Sequence, residues 1–338
     1  MLSEEKNNQG IITISDVAEA LNISKTTVSR AISGKGRIGA QTRERVLRYI
    51  DEHNYKPNPI AKGLANSRTY NICWVMPADY VASDLPFFQR CLVGISEISL
   101  KEDYDILTTF AYSDNASPLI RIVTNRKVDG VILSRTLTND PNIRLLKEHS
   151  LPFVVIGSTE EDDVVQIDND HIRACCELTS ILAMKGVRRM ALIGGSMRHV
   201  VNQTRYKGFQ KGLSEQGIRE DKRLVRLDLE DEKAIERATD DVLSLGAECI
   251  ICMDDGICRS VLGKLKRDEI DIPGRVKLAS FYNSMLLENN QPAITALSYD
   301  PKELGGVAAK TLFSIIRGEN VEGKVLLGYD VLLKASTQ

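Results

Sequence analysis

No apolar run in this 338-residue chain approaches the roughly 20 residues of a membrane span. The polar start MLSEEKNNQG has no apolar core of the kind a secretory signal needs. These absences exclude a membrane-spanning or exported protein and point to the cytoplasm. Cysteine occurs seven times, an odd number without regular spacing, which argues against a disulfide framework. Cys249 and Cys252 form the one C-x-x-C, inside the apolar run AECIICM. Residues three apart on a strand point to opposite faces, so core packing is expected there and not metal or redox chemistry. The four histidines, His53, His149, His171 and His199, are scattered, with no Ser-His-Asp or metal-ligand spacing. There is no Walker loop and no G-x-S-x-G. Nothing calls for catalysis, a metal or a cofactor.

One motif pulls the other way. SGKGRIG sets Gly34, Gly36 and Gly39 at the G-x-G-x-x-G spacing of a dinucleotide-binding turn. Such a turn needs a strand before it and an acidic residue at a strand end about 20 residues on. Here a helical pattern precedes it, and HNYKPNP follows at that distance. Gly34 is expected instead to end a helix as a left-handed cap. Lys35, Gly36 and Arg37 would then form a cationic loop, with Ile38 returning to a core.

Charge is unevenly spread. Residues 1–70 carry 11 Lys and Arg against 7 Asp and Glu, a balance of +4 that leaves −6 for the remainder of a chain whose net charge is −2. A basic head on an acidic body implies a polyanionic partner at the N-terminus. In TISDVAEALNISKTTVSRAISG, Thr13 can cap a first helix with Asp16 as its capping-box partner, and Val17, Ala18 and Leu21 share one face. Asn22 can end that helix. Ser24 can cap a second one, whose apolar side is Val28, Ala31 and Ile32. Two short helices joined by a tight turn describe a helix-turn-helix, in which the start of the second helix enters the DNA major groove. Lys25, Thr26, Ser29 and Arg30 face away from the apolar side, with Thr27 beside them. Arg can grip guanine O6 and N7 together, and Thr and Ser reach several base edges. A third helix, AQTRERVLRYIDEHNY, offers Val46, Leu47 and Ile50 to the core and places Thr42 and Arg43 at an N-terminus suited to phosphate. Thr13, Ser24 and Tyr55 are further candidate DNA contacts, and after Tyr55, KPNPIAKGLANSRT gives barely two helical turns, capped by Asn58 and weakened by Gly63, expected to be frayed without DNA.

The segment from Thr13 to Ala65 resembles the LacI/GalR family of bacterial transcription regulators. Asp16–Ala18 (DVA), Thr27–Arg30 (TVSR), Thr42–Val46 (TRERV) and Asn54–Asn58 (NYKPN) fall in the family's order and spacing. The resemblance implies a homodimer on a pseudo-palindromic double-stranded operator. It also implies hinge helices paired in the minor groove, Ala61 allowing their close approach and Leu64 wedging into the central base step.

From residue 70 on, apolar strand-like runs (YNICWVMP, YDILTTF, VDGVILS, PFVVIG, RRMALIGG, CIICM, VKLASF) alternate with helical segments, the pattern of parallel sheets in an α/β fold. The expected architecture is an all-α three-helix head on an α/β body of two doubly wound parallel-sheet lobes, similar to periplasmic binding proteins. Residues 1–12 would be a disordered tail, 13–57 the helix-turn-helix domain, 58–69 the hinge and 70–338 the body. Within the body one lobe takes about 70–167 and 300–323, and the other about 168–297 and 324–338. Ligands of such folds bind at the carboxyl ends of the strands, between the lobes. Candidate effector contacts are Phe87, Phe88, Ser134, Gly157, Arg205, Asp254, Asp255, Tyr282 and Asn283, for a small molecule, expected to be a sugar. Arg205 in NQTRYKGF matches the family's cleft arginine. Tyr282-Asn283 stands where the family commonly has an aspartate pair, so Tyr282 would stack on a sugar ring or block the cleft. PFVVIG and IDND look closest to maltose-type members. The chain stops at LLKASTQ without a heptad tail, which favours a dimer over a tail-linked tetramer. A nucleotide-dependent enzyme would instead bind NAD or FAD tightly, and a sugar sensor whose head docks a protein would bind ligand but not DNA.

Overall fold

The computed structural model describes residues 12–34, 36–55, 63, 66–78, 85–112 and 116–338. The chain divides into two compact units, residues 1–69 and 70–338. Lys35, Asn58, Ala61 and Leu64 lie outside the described residues, as does the tail up to residue 11.

In the first unit, α1 (Ile14–Ala20) and α2 (Lys25–Ser33) follow the caps expected of them, and α3 (Ala40–Glu52) starts after Gly39 without a side-chain cap. Thr13 and Asp16 form a reciprocal capping box that satisfies two helix-end groups and holds the Asp16 carboxyl below its usual range. Asn22 turns the chain at φ 51°. Arg45 on α3 donates to the Leu21 carbonyl at 2.8 Å, tying the end of α1 to the third helix. Val17, Ala18, Val28, Ala31, Val46 and Tyr55 make the core. Leu47 was expected there but is 42% exposed, because it lies one helical step of about 100° from Val46 and leaves the seam.

The second unit holds two six-stranded sheets. The first lobe has β1 (Asn71–Pro77), β2 (Asp105–Ala111), β3 (Gly130–Leu133), β4 (Phe153–Ile156), β5 (Gln166–Asn169) and β11 (Lys324–Leu327), in the order β11-β5-β4-β3-β1-β2, all parallel. The second has β6 (Met190–Ile193), β7 (Val225–Arg226), β8 (Cys249–Cys252), β9 (Lys277–Ser280), β10 (Thr295–Ser298) and β12 (Asp330–Leu332), in the order β12-β10-β9-β8-β6-β7, with β12 antiparallel to β10. Lys324–Leu327, assigned by sequence to the second lobe, pairs with β5 and belongs to the first. The third crossing between the lobes, expected at residues 323–324, therefore falls near Gly328. β11 is an edge strand with alternating half-exposure, so its residues carry no buried run to mark their lobe. Cys249 and Cys252 are buried in β8 with no disulfide. No helix among the described residues is long and apolar enough to cross a membrane.

Helices cover both faces of each sheet. In the first lobe, α4 (Leu85–Lys101) and α12 (Pro301–Ile316) cover one face, and α5 (Ser117–Thr124) and α6 (Pro141–Glu148) the other. α4 and α12 approach so closely that a Cβ on Gly94 would collide with the Lys302 carbonyl, and one on Gly305 with the Cys91 carbonyl. The second lobe repeats the device. α7 (His171–Met184) meets α8 (Val200–Glu215) where a Cβ on Gly208 would stand 2.6 Å from the Ile172 carbonyl and one on Gly212 2.7 Å from that of Cys176. Backbone cannot yield as a side chain can. Gly305→Val is expected to destabilise the body by about 2 kcal/mol or more, read as a lowered urea midpoint at unchanged m-value.

Candidate nucleic-acid interface and ligand cleft

The α2 face stands as its pattern predicts. Lys25, Thr26, Ser29 and Arg30 are exposed, opposite buried Val28 and Ala31. Ser24 and Thr27 are occupied locally: the Ser24 hydroxyl accepts from the Thr27 N–H at 3.1 Å and lies 2.9 Å from the Thr27 hydroxyl. Thr13 is likewise engaged in its capping box. Gly34 ends α2 at φ 68°, its N–H donating to the Arg30 carbonyl. Gly36, at φ 93°, lies under Arg30, whose Cδ would sit 3.2 Å from a Cβ there. Arg43, exposed at the start of α3, similarly lies over Gly34, while Thr42 is half-buried and Arg37 exposed. The G-x-G spacing thus serves two arginines, and no strand among the described residues precedes it. Tyr55, expected at the interface, closes the three-helix core and is only 7% exposed; burial pushes its phenol up.

The two lobes meet along the loop after β3. Thr138 N–H donates to the Arg198 carbonyl at 2.9 Å, and Gln203 Nε2 reaches Thr138 Oγ1 at 2.9 Å. Phe87 faces Tyr282 across the lobes, edge to face at 6.1 Å, and Tyr282 stacks on Tyr299 at 6.1 Å. Phe88 touches this group through Phe87, edge to face at 5.3 Å, but does not line the cleft. One residue on along α4, it turns into the first lobe's core and is 6% exposed. Ser134 follows β3, buried, its hydroxyl without a partner among the described residues; it lines a pocket of about 20 Å³ with Met76, Asp140 and Asn142, room for one water. Gly157 follows β4 at φ 120°, where a Cβ would stand 2.9 Å from Thr136 Oγ1, so only glycine passes the chain through this turn without strain.

In the second lobe, Arg205 comes from α8. It is 7% exposed, and its Nε has no hydrogen-bond partner among the described residues. Its charge acts on Asp255, Tyr282 and Tyr299. Burial pushes the Asp255 carboxyl up, opposed by the nearby Ser284 side chain and by the charge of Arg205. Burial likewise raises the phenols of Tyr282 and Tyr299, so both remain hydroxyl donors. Asp254 caps α10 (Asp255–Arg267), accepting from the Ile257 N–H at 2.8 Å, which commits its carboxylate to the helix. Asn283 donates to Glu288 at 2.8 Å and leaves its buried Oδ1 unpaired. The structure therefore gathers Phe87, Arg205, Asp255 and Tyr282 around one wall. It adds Asp168, Asn169, His171 and Tyr299, which were not singled out as site residues. The strand-end rule applied to IDND would have found the first two; His171 and Tyr299 carry no local signal.

Residues 13–58 match the family described as "Bacterial regulatory proteins, lacI family", and residues 179–337 match "Periplasmic binding protein-like domain". The HTH-type transcriptional regulator MalR of Staphylococcus xylosus is 30% identical over 322 residues, covering 92% of this chain and 93% of that protein. Among solved structures, the probable maltose operon transcriptional repressor malR from Staphylococcus aureus superposes with a TM-score of 0.74 at 27% identity, over 80% of this chain and 99% of that one. The lac repressor dimer bound to operator and the anti-inducer ONPF superposes at 0.80 and 19% identity, over 97% and 99% of the two chains. A helix-turn-helix head with an exposed basic reading face, a two-lobed α/β body and a relative matched along nearly its whole length agree: the chain belongs to the lacI family of bacterial regulatory proteins, and is a DNA-binding transcriptional regulator, not an enzyme.

Proposed function

We propose that this regulator is a repressor whose operator affinity is set by a neutral saccharide held between the lobes, and that it acts in the cytoplasm as a homodimer on a pseudo-palindromic operator. The observation that carries the ligand class is the imbalance of unpaired polar atoms along the cleft. Asn169 Oδ1 and Asn283 Oδ1 are buried acceptors without donors, whereas Arg205 Nε is a buried donor without an acceptor. A buried polar group left unpaired costs about 1–3 kcal/mol, so the ligand is one that answers both kinds. Sugar hydroxyls donate and accept; a phosphate or carboxylate supplies acceptors alone. The Tyr282 and Tyr299 rings offer aromatic surface to the apolar face of a pyranose, and the neighbour titled as a maltose operon repressor points to the same class. Saccharide and operator then alter each other's affinity reciprocally through lobe geometry, with Asn58, Ala61 and Leu64 assigned to the hinge by family resemblance.

A thermal-shift panel of maltose, cellobiose, glucose and glucose 6-phosphate tests the ligand class. A neutral sugar at about 100 times its Kd should stabilise the protein by about 2.7 kcal/mol, the added phosphate of glucose 6-phosphate should give no larger shift than glucose, and Arg205→Ala should remove the shift while leaving the circular dichroism spectrum intact. A shift by the phosphorylated sugar alone overturns the assignment.

For the head, selection from random-sequence DNA should return a two-fold site. Arg30→Ala is expected to flatten preference at one position per half-site, by about 1–3 kcal/mol. Unchanged selectivity removes Arg30 from base reading.

The dimer face is read from exposed apolar side chains on both lobes. Val93 and Leu100, seven residues apart on α4, lie on one helix face. Leu107 on edge strand β2 is also exposed, as are Met285 and Leu286 on the other lobe. Val93→Asp is expected to move the sedimentation coefficient from dimer toward monomer.

A further inference from the structure

Two of the lobe crossovers meet in one chain of side chains linked by hydrogen bonds and an ion-pair approach. Asp168, in the last turn of β5, belongs to the first lobe; three residues later His171 opens α7 of the second. Tyr299 sits between β10 and α12, where the chain returns. Ser158 Oγ donates to Asp168 Oδ2 at 2.8 Å, and the Asn169 N–H to Asp168 Oδ1 at 2.8 Å. His171 Nε2 stands 3.4 Å from Asp168 Oδ1, and His171 Nδ1 lies 3.1 Å from the Tyr299 hydroxyl. The two rings meet edge to face at 4.8 Å. Asp168 and His171 are each more than nine-tenths buried.

The proton directions follow from the partners. Burial alone would push the Asp168 carboxyl up, but His171, Ser158 and the Asn169 N–H together hold it below its usual range, so it is a carboxylate and accepts only. Nε2 must therefore carry its hydrogen toward Asp168. Tyr299, its phenol raised by burial, keeps its proton, and its hydroxyl pairs with Nδ1. Tyr299 then stacks on Tyr282, which faces Phe87 of the first lobe.

We propose that His171 is a positioning residue that latches these two crossovers together and, through Tyr299, holds the aromatic wall of the cleft. The latch is built from Asp168 on one lobe and His171 and Tyr299 at the crossovers to the other, so relative movement of the lobes strains it directly. Its consequence for ligand rests on the saccharide-cleft assignment; the latch itself is tested without ligand.

The experiment is imidazole ¹⁵N spectroscopy of the full-length protein at pH 7.5, with the His171 signal assigned by its loss in His171→Gln. The expected result is a ring protonated at Nε2, with Nδ1 shifted by its hydrogen bond to the Tyr299 hydroxyl. Tyr299→Phe, which keeps the ring and removes only the hydroxyl, should erase that Nδ1 shift and speed hydrogen exchange of the Asn169 and Asp170 amides by about fivefold, the effect of one neutral hydrogen bond. If His171→Gln does not fold, the signal that moves in Tyr299→Phe makes the assignment. A neutral ring protonated at Nδ1, or His171 signals and crossover exchange unmoved by Tyr299→Phe, overturns the latch. A sugar panel without any shift would overturn the ligand class and leave these readouts as they are.

Discussion

Backbone-to-backbone contact between α7 and α8 fixes the geometry on which the cleft depends. At Gly208 the two helices touch with no side-chain layer between them, the Ile172 carbonyl lying where any Cβ would stand. Ile172 is the neighbour of His171, and Gly208 comes three residues after Arg205, so one contact sets the distance between the cleft arginine and the start of α7. A helix pair spaced by side chains rests about 8–10 Å apart between axes and can slide by repacking them. A pair in contact through glycine has far less freedom, because a carbonyl and a Cα cannot change rotamer. The same construction on the other lobe, at Gly94 and Gly305, holds α4 and with it Phe87.

On that frame the cleft gathers groups that would be unfavourable one at a time. A buried arginine, a buried carboxylate at Asp168, a carboxyl pushed up at Asp255 and two half-buried tyrosines share one region. Low local dielectric strengthens each interaction and penalises each unpaired atom. Asp168 meets this with three hydrogen-bonded or ionic partners. Arg205 and the amides of Asn169 and Asn283 do not, and their open valences face the ligand role assigned to the cleft. Tyr282 changes the character of the site: where the family commonly has a carboxylate, this chain has a ring that stacks on Tyr299 and reaches the opposite lobe.

Local signals were read correctly wherever the physics is local. The Thr13–Asp16 capping box, the Ser24 cap and the left-handed Gly34 each depend on a few adjacent residues, and each stands where its spacing placed it. The errors share another cause. Leu47 and Phe88 are large side chains next to a helix neighbour with the opposite environment, and a rotation of one residue decides which of the two is buried; Tyr55, beyond the end of α3, is drawn into the core by the fold of the three helices. Lys324–Leu327 shows the same limit for strands: an edge strand has no continuous apolar run, and its lobe is decided by a partner more than 150 residues away.

The sequence by itself determined the helix-turn-helix, its outward face of Lys25, Thr26, Ser29 and Arg30, the strand-helix alternation of two lobes and the kinship that makes the chain a regulator. All of these rest on spacings within a few turns or on motifs in fixed order. Only the tertiary structure decided that His171 stands between Asp168 and Tyr299, that Tyr282 bridges Tyr299 and Phe87, and that Arg205 keeps an unpaired nitrogen. His171 and Tyr299 are separated by 128 residues. Their meeting is set by where two crossovers leave two sheets, and no local preference in the chain encodes it.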